Sequence, residues 1–262
     1  MSLPPEIFTI IHPYLSLRDI SSLVLTNREV NRWVDMNDVI REYHLADNDY
    51  ESDLIESACF NGYVNLLMYL HQIGAVIPEN MIVIASAGGY LPIVEYLCSI
   101  GADPTSHNND SICWASFNGY LSVVEYLHSV GADPTANNNE PIKNASQNGH
   151  LDVVKYLYSI GADPTVDGSV AIRMASEEGY LSVVKYLCSI GTDPTACDND
   201  PIKLASHNGH LDVVEYLYSV GADPMANDNY AIEWARRNGH LSIVEYLCTV
   251  GADPTAGNDI GE

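Results

Sequence analysis

From about residue 51 onward, apolar and polar positions recur with one period. The segment Gly-x-Asp-Pro begins at Gly101, Gly131, Gly161, Gly191, Gly221 and Gly251, and a second glycine keeps the same 30-residue spacing at 89, 119, 149, 179, 209 and 239. Between them the chain repeats Ile-x-x-Ala-Ser-x-Asn-Gly-His/Tyr-Leu-x-Val-Val-x-Tyr-Leu-x-Ser-Ile/Val-Gly-Ala-Asp-Pro-Thr-Ala. A degenerate copy precedes these, carried by Ile55, Ala58, Gly62, Leu66, Tyr69, Leu70 and Gly74, and its link to the next copy is three residues shorter. The result is about seven repeats, roughly 51–77, 78–107, 108–137, 138–167, 168–197, 198–227 and 228–257. A fixed period of this length signals supersecondary units that stack on one another.

Each unit reads as two short helices. In the fourth copy Pro141 stands where the first helical residue would be, a place that tolerates proline because its N–H has no partner there. Ile142 and Ala145 lie three apart on one face, and Gly149 stops the helix. A second helix is predicted from Leu151 to about Ser159, with Leu151, Val154 and Leu157 as an apolar stripe, Val153 and Tyr156 widening it, and Gly161 ending it. Helices this short do not persist alone in water, so neighbouring units must share a core. The predicted fold is therefore all-α, a helix-turn-helix solenoid.

Charge narrows the classes of partner. Eleven Lys plus Arg against 35 Asp plus Glu gives −24. That balance argues against nucleic acid, whose phosphates need clustered cations, and against an anionic membrane surface. No run of 18 apolar residues occurs, so no span of a bilayer is expected. The start, Met1-Ser-Leu-Pro-Pro-Glu6, lacks the basic and apolar stretches of a signal peptide. The six cysteines form no Cys-x-x-Cys pair, and Cys98, Cys188 and Cys248 share one repeat position with His128, Tyr158 and Tyr218. They read as reduced, space-filling thiols in a soluble, cytoplasmic, monomeric protein.

The repeat resembles the ankyrin family. The pattern Thr-Pro-Leu-His-x-Ala-Ala…Gly-His…Val…Leu-Leu…Gly-Ala-Asp is carried by Pro201-Ile202-Lys203-Leu204-Ala205-Ser206, Gly209-His210, Val213-Val214, Tyr216-Leu217 and Gly221-Ala222-Asp223. The family unit is 33 residues; the three missing here fall in the β-hairpin between units, where proline after the Asp also removes a strand donor. Shortened inter-repeat loops are expected in place of projecting hairpins. The 30-residue form is similar to ankyrin proteins of giant DNA viruses of amoebae, which would place such a protein in host cytoplasm.

Residues 1–45 do not fit the repeat. Their order, with Leu3-Pro4, Glu6-Ile7, Tyr14-Leu15, Asp19-Ile20 and Leu23/Leu25, resembles an F-box. That resemblance implies that Leu3, Pro4, Ile7, Tyr14, Leu15, Ile20 and Leu23 dock a Skp-type adaptor of a cullin-RING ubiquitin ligase. The other reading of this segment is a helical cap for the array. The acidic stretch 46–53 joins it to the repeats.

No catalytic, metal or cofactor motif is found, and the chain reads as a non-enzyme. His207-Asn-Gly-His210 hints at a metal pair, but His150, His210 and His240 alternate with Tyr63, Tyr90, Tyr120 and Tyr180 at one repeat position. A slot shared by His and Tyr serves packing or hydrogen bonding. The six turn aspartates, 103 to 253, are expected to accept backbone N–H groups. With Asp110, Glu140, Asp167, Asp198, Asp200 and Asp228 they form an acidic edge suited to a basic partner or to solubility. Tyrosines 69, 96, 126, 156, 186, 216 and 246 form a ladder in or beside the core. Five residues after the repeat isoleucine stand Phe117, Gln147, Glu177, His207 and Arg237 (with Phe60 and Ala87). The family resemblance implies a row at the end of the first helix on the concave side, open to client binding, and the other reading is ordinary drift at exposed sites. Trp114 and Trp234, two residues after the isoleucine, are expected in the core, and partial exposure would make either a candidate anchor for a partner.

Overall fold

The computed structural model describes residues 48–72 and 74–255. The F-box-like residues Leu3 to Leu23, and the boundary expected near residue 45, lie outside them. Among the described residues there are fourteen α-helices and no strand. They are α1 Asn48–Asn61, α2 Val64–Gln72, α3 Met81–Ala87, α4 Leu91–Ser99, α5 Ser106–Phe117, α6 Leu121–Ser129 and α7 Ala136–Gln147, followed by α8 Leu151–Ser159, α9 Val166–Glu177, α10 Leu181–Ser189, α11 Ala196–Asn208, α12 Leu211–Ser219, α13 Ala226–Arg237 and α14 Leu241–Thr249. The predicted second helix, Leu151 to Ser159, is found with those bounds.

The chain divides into two compact units, Met1–Ser111 and Ile112–Glu262. In the first, α1 packs on α3 and α2 on α4, while α1–α2 and α3–α4 form hairpins. In the second, first helices α7, α9, α11 and α13 stack in one row and second helices α6, α8, α10, α12 and α14 in another. The core lies between the rows. Its members are fixed repeat positions: Ile142, Ala145, Val153, Val154 and Leu157 are fully buried, as are their counterparts Ile202, Ala205, Val213, Val214 and Leu217. Leu151, expected in the apolar stripe, is only half-buried, because it opens the helix at the edge of the core.

From α5 onward the first helices begin close to the start the sequence predicts, after Asn139 and near Pro141 in α7, and a left-handed turn precedes each within its span. Each of α5, α7, α9, α11 and α13 contains three successive residues in the left-handed region. In α7 these are Asn137, Asn138 and Asn139 (φ 51°, 60° and 63°); in α11 they are Cys197, Asp198 and Asn199 (φ 52°, 58° and 65°). Left-handed backbone costs an ordinary L-residue about 1–2 kcal/mol, least for Asn, Asp and Gly. Two bonds offset that cost. The Asn139 N–H donates to the Thr135 carbonyl at 2.9 Å, closing the turn. Its side-chain carbonyl accepts the Asp163 N–H near the end of the same repeat at 2.7 Å, and Asn199 does the same for Asp223 at 2.7 Å. The short link between the first two copies is now explained. From Gly74 to Ile82 there is no left-handed triad, and α3 begins directly after Pro78-Glu79-Asn80.

A second clasp joins successive units through the His/Tyr slot. The His150 ring lies over Gly119, where an added Cβ would meet Nδ1 at 2.4 Å, and the Tyr180 ring covers Gly149 likewise at 2.4 Å. Gly149, at φ 76°, is thus held to glycine both by its backbone and by its neighbour's ring. Nε2 of His150, His210 and His240 lies 3.0, 3.0 and 2.9 Å from the carbonyls of Phe117, Glu177 and His207. The hydrogen-bonding role expected of this slot is what the structure shows.

Two outcomes test this packing. Ala205→Leu, at a position with no exposed surface, should destabilise the array by about 1–3 kcal/mol through overpacking, read as a lower urea midpoint. Asn199→Ala should cost about 2–3 kcal/mol, from left-handed strain plus the lost bond to Asp223. Asn199→Gly, which keeps the backbone but not the bond, should cost about 1 kcal/mol in the same measurement.

Candidate functional site

A helix in such a stack buries one face and offers the other, so the first-helix positions that stay exposed define the surface open to a partner. Counted from the repeat isoleucine, these are the second and fifth residues. Phe117, Gln147 and Glu177 are half-buried, whereas His207 and Arg237 are exposed. The expected client row is therefore accessible along its length in the second unit, and in the first unit Phe60 is 69% exposed.

The tryptophans correct an expectation. Trp114 is 46% exposed and Trp234 half-buried, so neither belongs to the core. Helical period places the second residue on the boundary between the buried and open faces, and the bulk of an indole carries it outward. Trp114 meets the Phe117 ring edge-on at 5.5 Å. Trp234 meets His207 at 5.1 Å and Tyr230 at 5.6 Å, and Tyr230 is itself 43% exposed. Met174 and Leu204, half-exposed at the same repeat position, continue the apolar stripe between these aromatic groups.

One set of residues was not singled out in the sequence. The first position after the isoleucine holds Lys143, Arg173, Lys203 and Glu233, and the two lysines and the glutamate are buried. Lys143 Nζ pairs with Asp167 at the end of its own repeat at 2.6 Å. Asp200 takes Arg173 of the preceding repeat at 3.1 Å and Lys203 of its own at 2.8 Å. Glu233 pairs with Arg237 one turn on. Asp167 is held below the usual carboxylate range, first by the hydrogen bond from Lys143 and then by that from Asn138. The available signal was a cation recurring at one repeat position in a chain with few cations to spend.

The acidic edge is correspondingly less free than its composition suggests. Asp103 Oδ1 accepts from the N–H and hydroxyl of Thr105 at 2.8 and 2.7 Å, and Asp133, Asp163, Asp193 and Asp253 repeat this turn. The threonine hydroxyl and then its N–H draw the Asp103, Asp163 and Asp253 pKa values down. A lowered folded pKa contributes stability above the unfolded value and loses it as the pH falls, so these turns weaken in acid. With Asp167 and Asp200 in ion pairs, Asp198 and Asp228 are the exposed remainder of the loop acids.

Within each unit the tyrosines of the second helices are self-engaged. Tyr96, Tyr126, Tyr156, Tyr186, Tyr216 and Tyr246 are half-buried beside the core, and Tyr69 is buried. The Tyr96 hydroxyl lies 2.7 Å from His71 Nδ1, and the Tyr156 hydroxyl 3.1 Å from His128 Nδ1. Tyr158 and Tyr218 stand edge-on to Tyr186 and Tyr246. The slot read as a space-filler thus also pairs with the next repeat's tyrosine. Lys155 and Lys185 lie over the rings of Tyr186 and Tyr216, at 5.7 and 5.5 Å. All six cysteines are free thiols, and burial, with Glu56 second, pushes Cys59 up to about 12. Among the described residues no group of three His, Cys, Asp or Glu is placed to hold a metal ion. His207 Nδ1 instead faces the Asn208 side chain at 2.8 Å.

A stack of helical hairpins whose open face carries aromatic and charged side chains is a helical repeat scaffold for protein–protein interaction. The ankyrin-repeat family description, Ankyrin repeats (3 copies), matches residues 54–138, 81–168, 112–198 and 172–258. The chain belongs to the ankyrin-repeat family. No curated protein matches it closely enough to report. No helix among the described residues is long and apolar enough to cross a membrane.

The Asp200 triad has a measurable consequence. Its members are roughly a tenth to a third exposed, so Asp200→Ala should cost about 1–3 kcal/mol, below the value for a fully buried pair. A double variant with Lys203→Met should recover part of that loss in the unfolding midpoint.

Proposed function

We propose that this protein is a non-catalytic adaptor whose ankyrin array holds a client protein along the first-helix row. The observation that carries this is the accessible aromatic stripe, Trp114, Phe117, Tyr230 and Trp234, ending at Arg237. Trp, Tyr and Arg dominate binding energy at protein interfaces, and these rings are held against one another in place of a core. The finer part of the proposal assigns residues 1–45 to a Skp-type adaptor of a cullin-RING ubiquitin ligase. Support for that part comes from the F-box-like order Leu3-Pro4, Ile7, Tyr14-Leu15, Ile20 and Leu23. Tethering a client and a ligase to one chain raises their mutual effective concentration, and no chemistry is required of the tether itself.

The test of the ligase arm is direct. Purified Skp-type adaptor should bind the full chain, and a Leu3→Ala/Pro4→Ala double variant should bind at least about tenfold more weakly, a loss of about 1.4 kcal/mol or more, in isothermal titration calorimetry. An intact chain without affinity removes ligase recruitment and leaves a scaffold whose first helices cap the array.

A further inference from the structure

We infer that the client is a linear, extended segment carrying one basic residue midway between two apolar or aromatic anchors. This rests on the client-binding reading of the first-helix row. The row has two aromatic stations. One is Trp114 with Phe117 in the third repeat; the other is Tyr230 and Trp234 with His207, across the sixth and seventh. Each offers an exposed ring already braced by a neighbour, so seating an apolar side chain there orders little that is not ordered already.

Between the stations the unspent charge is negative. Lys143, Arg173 and Lys203 are committed to Asp167 and Asp200. Glu140, Glu177 and Glu178 have no cation within ion-pair distance among the described residues, and Glu178 is exposed. Glu177 stands one helical turn from the half-exposed Met174. A Lys or Arg stem lying on that methionine would bring its head to the carboxylates. The −24 charge of the chain draws a basic segment and repels an acidic one.

Spacing sets the register. Packed helices lie about 8–10 Å apart and an extended chain advances about 3.3 Å per residue, so each repeat spans about three client residues. The third, fifth and seventh repeats then meet positions about six apart: an apolar anchor, a base and a second apolar anchor, in about thirteen residues. Asn144 and Gln147, in the fourth repeat, stand where the client main chain passes between the first anchor and the base.

The experiment is selection of displayed random 13-residue peptides against the full chain, followed by fluorescence anisotropy of the recovered sequences. The expected consensus has Lys or Arg near the middle and aromatic or aliphatic residues near both ends. Glu177→Lys should weaken these peptides by about tenfold or more and favour variants carrying Asp or Glu at the central position. Trp114→Ala and Trp234→Ala should each weaken binding by about tenfold. Glu177→Gln supplies a milder change, and the circular dichroism of every variant should match the parent. Binders lost in both tryptophan variants but indifferent to Glu177→Lys overturn the basic-segment inference and leave the row as the client site. Binders untouched by either tryptophan variant overturn the row itself, and recovery of no binder overturns both.

Discussion

A nine-residue helix such as Leu151–Ser159 is too short to persist in water by itself, so everything else in this protein depends on burial shared between neighbouring repeats. Val153, Val154 and Leu157 reach zero exposure only because other helices close over them. Directional contacts then fix how far apart and in what order the units lie. Between units a ring covers the preceding repeat's glycine and Arg173 reaches Asp200 of the following repeat. Within a unit an asparagine side chain spans 24 residues to the closing turn and the buried Lys143 reaches Asp167. Non-directional burial supplies the driving force, and these polar and ring contacts supply the register.

That division explains what could be read from the chain beforehand. The period, the second helices, the alanines and glycines and the all-α class follow from local pattern, because each is set by residues only a few positions apart. The left-handed triads were hidden because Asn137-Asn138-Asn139 reads as polar loop, and three consecutive left-handed residues are costly unless a distant partner repays them. That partner, Asp163, is 24 positions away from Asn139. The ion pairs were hidden for the same reason. Lys143 and Asp167 are also 24 apart, and the charge balance drew attention to the acids and away from the few cations. The tryptophans were misplaced because hydrophobicity alone does not separate a core position from a rim position on a narrow helix.

The client row was legible as a list of variable residues, Phe117 to Arg237, though not as a surface. The structure adds the second row beside it and shows which charges are already used. Lys155 and Lys185 rest on tyrosines on the far side, Lys143 and Lys203 are paired with acids of their own repeats, and Arg173 joins two repeats. Among the described residues most of the scarce positive charge is engaged within the protein itself. The half-buried Glu177 and the exposed Glu178 have no such ion pair among those residues.

The ring-on-glycine clasp has an implication for how such a chain can change. His and Tyr serve equally well over Gly119, Gly149, Gly179 and Gly209, so one module does not need to know which of the two its neighbour carries. Units can therefore be duplicated, deleted or exchanged in the genome without redesigning the joint. Each copied unit brings its own second and fifth residues, such as Leu204 with His207 or Trp234 with Arg237. Lengthening the array writes another letter into the open face of the first helices, while the grammar joining the letters stays the same.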